Sequence, residues 1–282
     1  MNRAASPPKV RRILVPLDAS AASLAALAAA VELAERMDAE LVGLFVEDVG
    51  LLHLAGLPFA SERGVFGVQG RPLNPEGMEQ SLRAQAARAE LALSEAAGRR
   101  RLRWTFRVAR GQVLAEVLVA MNEADLTALG AVGVQQVRRA QIGTTAWEVI
   151  NRATHPVLIL PPGGTVSSAI ASVFDGSPGS LEALVLASAL AEDDGGGLVV
   201  ILIAADPESD ERLRLAATAL LREFELEPRF VSLPHASTES LTQAIRKAKV
   251  CTLAIAADSV ASGADTARVL LEEQGCAVLW VP

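Results

Sequence analysis

The chain has 282 residues, enough for two ordinary domains, and its 51% apolar and 21% charged content indicates a globular protein with a substantial core. The net charge of −7 argues against non-specific binding to nucleic acid, because the phosphate backbone attracts basic surfaces. No apolar run reaches the roughly 20 residues that span a bilayer, and the amino terminus has no signal-peptide core. We therefore expect a cytoplasmic protein that does not contact membranes.

Strands and helices alternate along the first half. Residues 1–10 are predicted to be a disordered arm. Strands are predicted at 13–17, 41–46, 101–108, 124–131 and 156–160, and helices at 20–37, 75–97, 112–122 and 143–152. Asp18 and Ser20 are both candidate caps for the first helix. Residues 49–75 are predicted to be a long irregular segment, which in compact domains is usually a functional lid or partly disordered.

The strand predicted at 101–108 alternates between apolar and polar residues. Leu102, Trp104, Phe106 and Val108 lie on one side, and three arginines and Thr105 lie on the other. This period of two predicts a strand with one solvated face. Charged side chains also protect an edge strand against unwanted pairing, so we interpret the arginines as a solvated edge and not as a nucleic-acid patch.

The same pattern repeats after a linker at residues 161–164. Strands are predicted at 169–174, 198–204, 229–233, 251–256 and 277–281, with helices between them. Both halves share their beginnings (ILVPLDAS and SVFDGSPGS) and their ends (HPVLILP and CAVLWVP). We predict an α/β protein with two repeated open parallel five-stranded sheets and helices on both faces, in domains at 11–162 and 163–282.

The two cysteines, Cys251 and Cys276, lie in apolar, strand-like runs of the second half. We expect two buried, reduced thiols and neither a disulfide framework nor a metal site. The three histidines lie in different segments without metal-ligand spacing, and we assign no metal-binding residue.

Candidate ligand-binding residues follow three strands of the first half. In open parallel sheets, ligands bind beyond the carboxyl ends of the strands, where the strand order reverses. Asp18 follows the first strand and Val46 ends the second. After the fourth strand, Gly130, Gly133 and Gly143 lead into Thr144 and Thr145, at the start of a helix whose amides favour phosphate. Two alternatives stay open at this point, since the glycines also suit turns and Asp18 also suits a helix cap.

These features resemble the universal stress protein family, and the duplication resembles its tandem form. The family's ATP-binding signature, G-x2-G-x9-G-(S/T), matches Gly130, Gly133, Gly143 and Thr144 position for position. The resemblance also implies adenine-side contacts at Asp18 and Val46, with Pro16 beside Asp18, and phosphate or ribose contacts flanked by Leu129 and Thr145. It implies an adenine nucleotide alpha hydrolase-like fold of strand order 3-2-1-4-5, halves that pack through their final strands, and a homodimer.

The sequence departs from the family pattern in both halves. Gly130 is followed by Ala131, where the family usually has a hydroxyl residue, and the loop interior is poor in glycine. Arg138 and Arg139 suit either a γ-phosphate contact or solvation. In the second half, Asp175 matches Asp18, but Gly263 is the only glycine of the equivalent loop. We therefore predict a nucleotide-free, structural second half.

The leading hypothesis is a universal stress protein that binds ATP, or ADP or AMP, in its first half as a sensed ligand, with Mg2+ accompanying the triphosphate. A first alternative is a nucleotide-free docking or dimerisation module of the stress response, and a second is a slow ATPase. Fast phosphoryl transfer needs a fixed cation at the phosphates, and the chain has no Walker lysine after its glycines. We assign no catalytic residue, and the sequence names no signalling partner.

Overall fold

Strands and helices alternate throughout this computed structural model, which describes residues 10–57, 61–62, 71–72, 74–131, 143–161, 163–164, 169–191, 197–224, 226–261 and 264–282. The strands of the first half are β1 (Arg12–Pro16), β2 (Glu40–Asp48), β3 (Ser61–Glu62), β4 (Arg71–Pro72), β5 (Trp104–Gly111), β6 (Leu126–Gly130) and β7 (Val157–Leu160). Its helices are α1 (Ala21–Met37), α2 (Val49–Ala55), α3 (Pro75–Arg99), α4 (Val113–Met121) and α5 (Thr144–Arg152).

The second half repeats this alternation without the insertion. Its strands are β8 (Ile170–Phe174), β9 (Leu198–Ile203), β10 (Arg229–Leu233), β11 (Thr252–Ala256) and β12 (Ala277–Val281). Its helices are α6 (Pro178–Leu190), α7 (Pro207–Leu221), α8 (Thr238–Ala248) and α9 (Ala264–Glu273). A short 3-10 helix at Arg222–Phe224 follows α7.

Ten of these strands form one continuous sheet in the order β10-β9-β8-β11-β12-β7-β6-β1-β2-β5. Counted within its own repeat, each half has the order 3-2-1-4-5, and its strands are parallel. The final strands β7 and β12 pair antiparallel and join the halves, with Val278 opposite Ile159. The predicted α/β fold class is confirmed, and the two five-stranded sheets are parts of a single larger one.

Apolar strands and alanine-rich helices build the core. Every residue of β7, β8, β11 and β12 is buried, as expected for parallel strands that are covered on both faces. On one face, α1 presents Ala26, Ala30 and Ala34 to the sheet, all fully buried. Alanine at this spacing brings a helix close to the strands, which is how a chain with 4% aromatic residues fills its interior.

Residues 49–55, predicted to be irregular, instead form the helix α2. The Asp48 side chain caps it by accepting a 2.8 Å hydrogen bond from the amide of Gly50, and α2 then contacts α3. Further along the insertion, Ser61 pairs with Pro72 in the short antiparallel contact between β3 and β4. The prediction was wrong at α2 because seven residues are too few for helical periodicity to stand out.

Strand β5 lies at one edge of the sheet, as its arginines predicted. Arg107 donates to Glu123 at 2.6 Å, and this contact raises the pKa of Arg107, with burial opposing it. The predicted alternation holds for Trp104 and Phe106, which pack against the core, but stops at Val108, which is 52% exposed, and Ala109 packs against the core in its place.

The two cysteines differ in exposure. Cys276 is buried, but Cys251 is exposed, so the prediction of two buried thiols was wrong for Cys251. Cys251 lies one residue before β11, and so outside the buried part of the sheet. No helix within the described residues has both the length and the apolarity needed to cross a membrane.

Candidate functional site

The candidate site lies where β1 and β6 end side by side. β1 pairs with β2 on one flank and with β6 on the other, so the chain order reverses between β1 and β6. Asp18 follows β1, and Gly130 is the last residue of β6. In open α/β sheets this reversal opens a crevice at the carboxyl ends of the strands. Two sequence-predicted residues therefore lie at its two sides.

A tight turn connects β1 to α1. The Asp18 carboxylate accepts a 3.0 Å hydrogen bond from the amide of Ser20, and the Ser20 hydroxyl accepts one of 3.1 Å from the amide of Ser23. Ser20 is thus the cap of α1, which settles the open alternative, and Asp18 shapes the turn before it. Between them, Ala19 has a φ of 60°, in the left-handed region that favours glycine.

The second half builds the same turn with glycine. Ser177 donates to Asp175 at 3.0 Å and caps α6, and Gly176 between them has a φ of 83°. The first half thus keeps a strained backbone residue at the candidate site, where the second half has none. Strain of this kind concentrates at functional sites.

Exchanging the residues of these two turns is expected to move stability in opposite directions. A left-handed Ala costs roughly 1–2 kcal/mol, so Ala19→Gly raises the free energy of unfolding by up to about 1 kcal/mol after the entropy of glycine is subtracted. Gly176→Ala lowers it by about 1 kcal/mol, because alanine is strained at this left-handed φ. The loss is no larger because the new Cβ contacts only the flexible end of the Leu213 side chain. Urea denaturation measures both, and a Gly176→Ala variant as stable as the parent would contradict this account.

Gly130 is required by packing against α1. A Cβ on Gly130 would lie 2.6 Å from the carbonyl carbon of Ala22 and 2.8 Å from its oxygen. In the second half the two residue types are exchanged, with Ala256 at the strand end and Gly179 on the helix. A Cβ on Gly179 would lie 2.9 Å from that of Ala256 and closer still to the Asp258 carboxylate. The second half therefore dispenses with a strand-end glycine because its helix supplies one.

The loop after β6 is closed at its base by the main chain. The amide of Ala131 donates to Leu160 at 2.7 Å, and the amide of Gly143 donates to Ala131 at 2.7 Å. Gly133, Arg138 and Arg139 lie outside the described residues. The Ala131 side chain is 3% exposed and packed in the core.

Helix α5 begins where this loop returns. Among the described residues, no side chain caps it, because its N-cap is Gly143, and its first turn carries no acidic residue. Thr144 is exposed and Thr145 is half-buried. The first amides of a helix carry a partial positive charge, so this end suits an anion.

Carboxylates occupy the equivalent edge of the second half. Asp258 accepts hydrogen bonds of 3.1 Å from the amide of Gly179 and from the Ser177 hydroxyl. Asp175 accepts bonds of 2.7 and 2.8 Å from the Val260 amide and the Ser259 hydroxyl. Two acidic side chains thus tie the first turn of α6 to the loop after β11 and give this edge negative charge.

The hydrogen bonds to Asp175 set its protonation. Burial opposes the charged form, but the bonds from Ser177, Ser259 and Val260 outweigh it and hold the pKa of Asp175 below its usual value. Asp175 is therefore ionised at neutral pH and serves as an internal anchor.

Sequence comparison identifies the family of the chain. The model of the universal stress protein family matches residues 9–161, more than half of the chain. The chain belongs to the universal stress protein family. No curated protein is significantly similar to it in sequence.

Solved universal stress proteins share the fold. One from Archaeoglobus fulgidus superposes with a TM-score of 0.68 at 13% identity, over 96% of this chain and 97% of the other. A Pseudomonas aeruginosa protein assigned to the same family gives a TM-score of 0.57 at 16% identity, over 96% and 93%. At these identities the likeness shows the fold alone. Both cover nearly the whole length, in agreement with the tandem arrangement.

Three further residues that the family pattern implies lie at or near the carboxyl ends of β1, β2 and β6. Pro16 is the half-buried last residue of β1, Val46 is half-buried near the end of β2, and Leu129 is buried beside Gly130. Sequence reasoning missed Arg110, which lies 2.9 Å from Glu79 of α3 and 3.9 Å from Glu47 of β2. It also missed that glycine and alanine are exchanged between helix and strand in the two halves. A residue-by-residue alignment of the halves would have revealed this exchange.

Metal ligands do not cluster in the part of the chain that the structure describes. No group of three or more His, Cys, Asp or Glu side chains there is placed to hold a metal ion.

Proposed function

We propose that the first half of this universal stress protein binds an adenine nucleotide, ATP or its products ADP and AMP, as a sensed ligand. The observation that carries the proposal is the difference between two repeats of one sheet. In the second half, Asp175 and Asp258 occupy the edge equivalent to the candidate site. In the first half, the residue that aligns with Asp258 in sequence is the uncharged Val132, and helix α5 begins without a side-chain cap among the described residues.

The phosphates would lie against the start of α5. Thr144 and Thr145, which follow Gly143, offer main-chain amides and hydroxyls, and Gly130 and Gly133 belong to the loop as the family signature requires. Charge favours the same half, since residues 1–162 carry 18 basic and 16 acidic side chains, whereas the rest carry 8 and 17. A triphosphate is repelled less here than in the second half.

The adenosine would lie across the ends of β1 and β2. The Asp18 carboxylate is an acceptor for a ribose hydroxyl or an adenine amino group, and Pro16 and Val46 line the same edge. Leu129 supports the strand end from the core. Mg2+ would accompany the triphosphate, bound mainly through phosphate oxygens and water.

Isothermal titration with Mg-ATP tests the proposal. We expect heat of binding for the parent protein and at least a tenfold weaker affinity for Gly133→Val, a difference of about 1.4 kcal/mol. Gly98→Val is the matched control, because Gly98 lies in α3 with nothing within 4 Å of an added Cβ, and it should bind like the parent. Absence of heat for the folded parent would favour the nucleotide-free module.

Phosphate release in the same samples separates a sensed ligand from a substrate. Release at the rate of buffer supports sensing, whereas turnover that falls in Asp18→Ala would favour the slow ATPase. Homodimerisation and a cytoplasmic location stay predictions, and light scattering on the purified protein tests the first of them.

A further inference from the structure

The two cysteines of the second half lie side by side across neighbouring strands. β11 and β12 are parallel, and their register places Thr252 beside Ala277. Cys251 and Cys276 are the residues immediately before this pair. The amide of Ala277 donates to the Cys251 carbonyl at 2.8 Å, so the backbones are still held together at this point.

Cys276 belongs to the core cluster that also contains Leu253 and Val278, so its side chain lies on that face of the sheet. Cys251 lies one residue before β11, at the exposed margin beside it. The Cys276 sulfur lies 3.6 Å from the carbonyl oxygen of Val250, which directly precedes Cys251. Neighbouring strands are about 4.8 Å apart, inside the Cα separation of about 4.4–6.8 Å that disulfides span.

The two thiols differ in access. Cys251 is exposed and Cys276 is buried. Burial, together with the nearby Cys251, raises the pKa of Cys276 to about 11, so this thiol stays protonated at neutral pH. An oxidant from solution therefore reacts first with Cys251, and Cys276 is the candidate resolving cysteine.

We propose that Cys251 and Cys276 form a reversible intramolecular disulfide by exchange with a low-molecular-weight disulfide. The Cys251 thiol loses its proton to solvent, and its thiolate attacks one sulfur of the reagent, which forms a mixed disulfide and releases one thiolate. The Cys276 sulfur, after losing its proton to solvent, attacks the Cys251 sulfur and releases the second thiolate. The two released thiolates take up the two protons, so the reagent is reduced to two thiols as the cysteine pair is oxidised.

Peptide mapping of the folded, full-length protein tests this proposal. The protein is incubated with oxidised glutathione, its free thiols are blocked, and it is digested with trypsin without reduction. Cleavage after Lys249 and Arg268 places Cys251 in peptide 250–268 and Cys276 in peptide 269–282. We expect these two peptides joined by a disulfide and separated by reduction, whereas a missed cleavage at Arg268 would survive reduction.

Two variants assign the order of attack. Cys276→Ala should stop at a glutathione adduct on Cys251, and Cys251→Ser should take up no glutathione while folded. If Cys276→Ala does not fold, the peptide map of the parent protein still tests the proposal. Parent protein that carries glutathione only on Cys251, or that links Cys251 of two chains, would overturn the proposal.

Discussion

Replacing Gly130 by Ala is expected to lower the free energy of unfolding by about 3 kcal/mol, the upper part of the usual range for overpacking. The added Cβ would lie within 2.9 Å of three Ala22 atoms, two of them main-chain. Main-chain atoms in the first turn of a helix cannot move aside as the end of a flexible side chain can. Urea denaturation of the variant and the parent measures the loss.

The second half of the molecule suggests the rescue. There the glycine is on the helix and the alanine on the strand, so Ala22→Gly combined with Gly130→Ala should recover about 1 kcal/mol or more of the loss. Recovery is incomplete, because the Ala22 carbonyl remains close and glycine in a helix costs about 0.5–1 kcal/mol relative to alanine. Strictly additive effects of the two substitutions would show that the contact does not determine the residue types.

Replacing Asp175 by Asn is expected to lower the free energy of unfolding at pH 7 by about 2 kcal/mol, a value that already allows for partial exposure. Asn retains one acceptor, but its amide group would face the Val260 amide and the Ser259 hydroxyl. The Val260 amide, which can only donate, would then face another donor. Denaturation at pH 7 measures this cost, and Glu182→Gln, an exposed acid on the same helix α6, serves as the matched control and should change little.

The same variant predicts a pH dependence with a definite sign. The folded pKa of Asp175 is lowered, so its stabilisation is present above the unfolded value of about 3.9 and is lost as the pH falls through the folded value. The difference between parent and Asp175→Asn should therefore shrink when denaturation is repeated below about pH 3. A difference that is as large below pH 3 as at pH 7 would exclude this assignment.

Much of the fold could be predicted from the sequence, because its periodicity is strong. The alternation of apolar runs with helical patterns gave the βα order, and the shared beginnings and ends gave the duplication. The strand order could not be predicted in this way, because periodicity does not indicate which strands are neighbours. The expected order came from the family resemblance. Helix α2 was missed because it is a single short helix inside an irregular segment. The exposure of Cys251 was missed because the end of a strand resembles its interior in sequence.

The placement of Asp18 and Gly130 at the sheet edge could be predicted from the sequence, but not the packing around them. Asp18 and Gly130 do lie on either side of the chain reversal, because the carboxyl ends of parallel strands meet at one edge. Sequence alone could not show that Ser20 is the cap while Asp18 shapes the turn, since both residue types do both tasks. Nor could it show that Gly130 has a packing role besides any ligand, which depends on the distance between β6 and α1. The contribution of Gly133 stays a prediction.

The antiparallel contact between β7 and β12 makes the two long margins of the sheet unlike. Strands of the two halves run in opposite directions, so the margin that bears the loop after Gly130 also bears the turns before β11 and β12. Asp175 and Asp258 lie on the far margin. A molecule docking from the first side would meet the proposed nucleotide and the cysteine pair together. The two proposed sites therefore face the same direction of approach.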